Sequence, residues 1–249
     1  MKHIFLISLI CFLSFKPLHA EGLDVISVGN FSSQTQQGYQ INLPEEWLPL
    51  LFKKIKSHTQ YTMVDDNGIA VIKAVSRASS SGLRRLVRVD PGKYQIIKWR
   101  WKIENIITKS DVAKKSGDDY PARIYITFEY DGSKPGFIEK AKFNAAKAIY
   151  GQYPPVAAIN YIWDNKADKG LFIPNTYTDR VMMVVVESGT SKLNQWVSHT
   201  RNIYDDFKKA FGQEPPLISG VAIMTDTDNT GESATAFYGD IVFSKPDQE

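Results

Sequence analysis

Residues 96–130 hold two stretches in which apolar and polar side chains alternate, and a period of two specifies half-buried β-strands and excludes helix. In the first, Ile97, Trp99, Trp101 and Ile103 fall on one side and Lys98, Arg100 and Lys102 on the other. In the second, Ile124, Ile126, Phe128 and Tyr130 alternate with Arg123, Tyr125, Thr127 and Glu129. The polar link between them ends Gly117-Asp118-Asp119-Tyr120-Pro121, so two carboxylates stand at the mouth of a strand that carries an arginine. Trp99 and Trp101 share their side with Ile97 and Ile103, which favours core packing over an exposed aromatic platform.

The remaining chain reads as short strands punctuated by turn chemistry. Asp65-Asp66-Asn67-Gly68 suits a tight hairpin, with strands predicted at 60–64 and 69–75. Further strands are expected at 24–28, 83–89, 156–163, 217–225 and 235–243. The run 181–186 is apolar on both faces and should be a central, covered strand. Two helices interrupt the pattern. At 135–150 apolar residues recur at helical spacing. At 202–211 Ile203, Phe207, Ala210 and Phe211 face inward, Gly212 can take a left-handed cap and Pro215-Pro216 forbids continuation. The predicted fold is all-β: one jelly-roll-like antiparallel β-sandwich domain over 21–249 with two short inserted helices.

The first twenty residues combine a charged start, an apolar run too short to span a bilayer and Ala20 at the end, the layout of a secretory signal peptide. Export to the periplasm or beyond is therefore expected. Cleavage after Ala20 takes Lys2 and Lys16 from the 30 basic residues and leaves 28 against 27 acidic ones. A nearly neutral chain lacks the basic surplus of a nucleic-acid binder. Cys11, the one cysteine, leaves with the leader, which excludes disulfides and thiol chemistry from the exported form. No later run is long and apolar enough for a membrane-spanning helix, so an integral membrane protein is not expected.

Asp118, Asp119 and Arg123 form the first candidate site, because a guanidinium and carboxylates in a partly dry cleft suit sugar hydroxyls or carboxylates. A solvated turn with one surface ion pair accounts for the same residues. The loop Asp226-Thr227-Asp228-Asn229-Thr230-Gly231 supplies oxygens at alternate positions before a glycine. Phe237 stands where an EF-hand needs its bidentate glutamate, so a looser calcium site using Asp226 and Asp228 competes with a metal-free Asx-rich turn. Trp163, followed by Asp164 and Asn165, is the candidate exposed platform for a sugar face, and Arg201 a further ligand contact. A serine triad is not expected, because no G-x-S-x-G elbow is present and His199 directly follows Ser198, where strand geometry sends the two side chains apart. A pair of carboxylates drawn from Asp118 or Asp119 and Asp226 or Asp228 is what a glycosidase would use.

Trp99-Arg100-Trp101, Gly117-Asp118-Asp119 with Ala122-Arg123-Ile124-Tyr125, Arg201-Asn202-Ile203-Tyr204-Asp205-Asp206, the 225–231 loop and Tyr238-Gly239-Asp240-Ile241 together resemble an exported bacterial family classed as a domain of unknown function. The resemblance spans nearly all of the chain after the leader and implies a bacterial envelope or secreted protein. It brings no reaction, ligand or catalytic residue with it. The strand order and acidic loops also resemble jelly-roll carbohydrate-binding modules in general architecture. The expected function is non-catalytic binding of a glycan or other hydroxyl-rich envelope ligand. A two-carboxylate glycan-active enzyme and a structural envelope component are the alternatives.

Overall fold

In the computed structural model, residues 24–33, 43–129 and 155–246 are described. Thirteen strands follow one another among the described residues: Val25–Gly29 (β1), Leu48–Leu50 (β2), Gln60–Asp66 (β3), Ile69–Arg77 (β4), Ser80–Val89 (β5), Ile96–Ile103 (β6), Arg123–Phe128 (β7), Ala157–Asp164 (β8), Phe172–Asn175 (β9), Thr178–Ser188 (β10), Val197–Asn202 (β11), Ile218–Asp226 (β12) and Ser233–Ser244 (β13). They form two sheets. Sheet A runs β11-β6-β13-β4-β3 with β1 also on β13, and sheet B runs β2-β5-β12-β7-β8-β10-β9.

The chain passes between the sheets repeatedly, although β3–β4 and β7 to β10 each stay within one sheet, and the inner faces of both layers build one core. Its centre is aromatic. Trp99 of sheet A stacks on Tyr161 of sheet B with ring centroids 5.0 Å apart, and Trp101 meets Trp163 at 6.3 Å. The alternation of 96–103 is thereby realised, since Ile97, Trp99, Trp101 and Ile103 are buried.

Sheet B departs from the antiparallel expectation at one pair, because β10 runs parallel to β8. After β8 the chain crosses to the sheet edge as β9 and turns back as β10, which lands between them and so points the same way as β8. This insertion covers β10 from both sides, as its apolar run predicts.

One helix, Ile203–Phe211 (α1), and one 3₁₀ turn, Lys115–Gly117, occur among the described residues. In α1 the Asn202 side chain caps the Asp205 amide and Gly212 takes the left-handed conformation at φ 68°. Ile203 and Phe207 are buried, and Phe207 packs on Phe128 of β7 at 4.4 Å. The helix predicted at 135–150 and the leader at 1–20 lie outside the described residues. Asn67 and Gly68, at φ 58° and 84°, make the expected hairpin between β3 and β4.

Candidate functional site

Arg123 opens β7 and stands opposite Met224 of the neighbouring antiparallel strand β12. Two residues further along β12, on the same side of the sheet, comes Asp226. The guanidinium meets that carboxylate as a fork, Nε donating to Oδ1 at 2.7 Å and Nη2 to Oδ2. Nη1 donates to Asp118 Oδ1 at 3.3 Å and to the Tyr125 hydroxyl at 3.1 Å, and Nη2 also reaches the Asp118 carbonyl at 2.6 Å. The guanidinium lies 4.5 Å from the centre of the Tyr120 ring. This is a closed knot: Arg123 and Asp226 are each 2 % exposed and Asp119 is 0 % exposed.

Asp119 has a different task. Its Oδ2 accepts the Thr230 amide at 2.6 Å and its Oδ1 the Asn229 side chain at 3.1 Å, so this carboxylate holds the 226–231 loop in shape. Gly231, at φ 72°, lets the loop close on the Thr227 carbonyl. Asn175 donates to Asp118 Oδ2 at 3.0 Å, and the exposed Tyr177 hydroxyl contacts Asn229 at 3.1 Å from outside.

Asp118 and Asp226 thus bond the one guanidinium, and Asp119 and Asp228 group with Asp226 beside it. Burial pushes the Asp226 carboxyl up, to about 8, against the pull of Arg123, and Asp119 and Asp118 add to the push. Burial also raises Asp228, with Asp119 acting in the same sense. One oxygen from each of Asp119, Asp226 and Asp228 lies within 4.8 Å of the others, an all-oxygen set of the kind calcium accepts. The oxygens of Asp226 and Asp119 already accept from Arg123 and from loop amides, so an ion there would share them through their remaining lone pairs.

The outer face of sheet B carries a groove of about 760 Å³. Along β5, Leu83 and Val89 turn into the core while Arg84, Leu86 and Arg88 point out to line one wall. Tyr125 and Thr127 of β7 line the next strip, Leu50 and Phe52 close the far side, and Gly220 leaves the floor low. A Cβ on Gly220 would sit 3.0 Å from the Arg85 carbonyl and 3.2 Å from Thr127 Oγ1. Tyr125 joins the two regions, because its ring lines the groove and its hydroxyl accepts from Arg123. None of the four knot carboxylates lines the groove.

Asp118, Asp119, Arg123, Asp226 and Asp228 are therefore brought together, although from segments over 100 residues apart in sequence. Burial of Asp119 and Asp226 closes them to a substrate chain, which a two-carboxylate hydrolytic pair would have to reach. Trp163 corrects the expectation of an exposed platform. It is 0 % exposed, packs on Trp101 and donates from its ring nitrogen to the Gly189 carbonyl at 3.1 Å. The polar residues that follow it mark the end of β8, where Asp164 Oδ1 caps the Lys166 and Ala167 amides. Arg201 belongs to a separate cluster and shares no partner with Arg123. Its Nε donates to Asp206 Oδ2 at 2.8 Å, and the Tyr161 hydroxyl donates to the same oxygen at 2.7 Å. The groove residues Arg84, Leu86, Arg88 and Phe52 escaped the sequence reading. The outward alternation of the first three along β5 was the available signal.

The fold and site define a two-sheet β-sandwich with an open groove on one outer face and a buried arginine–carboxylate knot beside it. The chain belongs to the family described as "Protein of unknown function (DUF3047)", whose model matches residues 45–242. No curated protein matched the chain. Among solved structures it is similar to a family 11 carbohydrate-binding module of a cellulosomal cellulase of Clostridium thermocellum, at 8 % identity and TM-score 0.44 over 92 % of this chain and 99 % of the module. A family 30 carbohydrate-binding module from a cellulosomal cellulase of the same organism is similar at 11 % identity and TM-score 0.42, over 90 % and 99 %. No residue role is taken from either.

Proposed function

We propose that the chain is an exported, non-catalytic binding protein whose groove on the outer face of sheet B takes a glycan or other hydroxyl-rich envelope ligand. The observation that carries this reading is the groove itself. Its size suits a ligand of several sugar units, and its wall mixes exposed apolar surface, Leu86 and Phe52, with hydroxyl and guanidinium groups. Ring faces of sugars pack on the apolar strip while their hydroxyls meet Tyr125, Thr127 and the arginines. The buried knot supports that face by fixing the Tyr125 hydroxyl. Calcium belongs to this reading as an ion among Asp119, Asp226 and Asp228, offsetting carboxylates that one guanidinium cannot balance.

The test is calorimetric titration of the purified chain with a panel of cell-wall and plant-type oligosaccharides, alongside a Thr127→Trp variant that fills the groove. Binding that disappears in the variant, at an unchanged melting temperature, is expected. Binding that survives with unchanged affinity, or no binding to any glycan, would overturn the proposal.

A further inference from the structure

The charges that line the groove are unevenly matched. Arg84 and Arg88 stand on the same outward side of β5 and both line the groove. Arg88 donates to Glu129 at 3.0 Å, so that charge is matched. Among the described residues no carboxylate meets Arg84, and its Nε is enclosed without a hydrogen-bond acceptor. Arg85, next to it, also lines the groove; it donates to the Val28 carbonyl and lies 4.0 Å from the Glu46 carboxylate, which matches its charge. Three guanidinium groups against two carboxylates, Glu46 and Glu129, leave one positive charge in excess, centred on Arg84.

The Arg84 Nε is closed to a ligand, so the groove meets the outer edge of the Arg84 guanidinium, Nη1 and Nη2, which has no acceptor among the described residues. Its natural complement is planar, singly charged and able to accept two parallel N–H bonds, which describes a carboxylate better than a tetrahedral dianion. We infer that the ligand is an acidic polysaccharide, whose uronic-acid carboxylate binds Arg84 while adjoining sugar faces lie on Leu86 and Phe52. This deepens the groove reading and rests on it. Arg84 then acts as the residue that distinguishes charged from neutral chains, and Tyr125 and Thr127 act on both.

The experiment titrates the full chain with oligogalacturonate and alginate oligosaccharides, and with fully methyl-esterified oligogalacturonate as the neutral counterpart, at low and high salt. An acidic oligosaccharide should bind at least tenfold more tightly than the neutral one, with affinity falling as salt rises. Arg84→Gln should remove that preference at an unchanged melting temperature, while Arg84→Lys keeps the salt dependence but loses part of the preference. Equal affinity for charged and neutral chains, or a preference untouched by Arg84→Gln, would overturn the acidic-ligand inference and leave the groove reading intact. No binding to any of these chains, with none to the wider panel, would overturn both.

Discussion

Arg123 and Asp226, 103 residues apart in the chain, meet inside the protein through a guanidinium–carboxylate fork whose Nε to Oδ1 distance is 2.7 Å. Both sit on the outer face of sheet B, yet neither reaches solvent, because Tyr120 covers one side of the guanidinium and the 226–231 loop closes around the carboxylates. The pair joins the start of β7 to the end of β12 and so fixes where the acidic loop leaves the sheet.

Removing one member of such a pair leaves its partner buried and unmatched. Arg123→Met should therefore destabilise the fold by about 3–5 kcal/mol. Arg123→Lys, which supplies a point charge without the fork, should recover only part of this. Chemical denaturation measures both, and a loss below about 1 kcal/mol for Arg123→Met would contradict the structural role.

Gly117 closes the 3₁₀ turn that delivers Asp118 to Arg123. A Cβ there would fall 2.5 Å from the Asp111 backbone nitrogen, which donates to the Gly117 carbonyl at 2.9 Å. Gly117→Ala should cost about 1–3 kcal/mol by forcing the 111–118 segment apart, readable as a lowered melting temperature. An unchanged melting temperature would show that the turn absorbs the methyl group without strain.

His199 contributes a pH dependence of its own, opposite in sense to that of the raised Asp226 carboxyl and isolated by comparison with a His199 variant. Burial against Trp99 and Trp101 pushes its imidazole down to about 4; Glu187 opposes this, while Lys192, Lys169 and Arg201 add to it. Between that value and about 6.5 the unfolded chain binds the proton and the folded chain does not, so stability is complete above the window and falls as pH drops through it. The expected loss is about 1–3 kcal/mol from pH 6.5 to pH 4. His199→Phe, which keeps a ring between the tryptophans, should flatten that part of the stability curve. An identical curve in the variant would rule out His199 as its source.

A calcium ion among Asp119, Asp226 and Asp228 should raise the melting temperature by about 5 °C or more at a hundredfold excess over its Kd. Chelation should reverse the rise and Asp228→Asn should abolish it. Thermal scans without any calcium-dependent shift would leave Arg123 as the cluster's whole counter-charge.

The fold was largely legible because it rests on local signals. Alternation placed Trp99 and Trp101 in the core, Asn67-Gly68 marked its hairpin, and Gly212 with Pro215-Pro216 ended the helix predicted at 202–211, which is α1 to within a residue. The short edge strands β2 and β9 and the polar strand β11 carry no such period and were not resolved by pattern. The site was legible only in residue type. Asp118, Asp119, Arg123, Asp226 and Asp228 do converge, but no local rule says that β7 and β12 become neighbours, or that the cluster closes over. Trp163 misled because the polar residues after it belong to a cap within the fold. The outward row Arg84, Leu86, Arg88 looks like any solvated strand face until β7 and β12 are set beside it.

A crystal structure of the chain with a bound uronate oligosaccharide decides whether the groove over β5, β12 and β7 holds a ligand. Sugar density along the groove is expected, with a carboxylate paired to Arg84 and a hydroxyl near Tyr125. Density on any other surface, with the groove left to solvent, would contradict it.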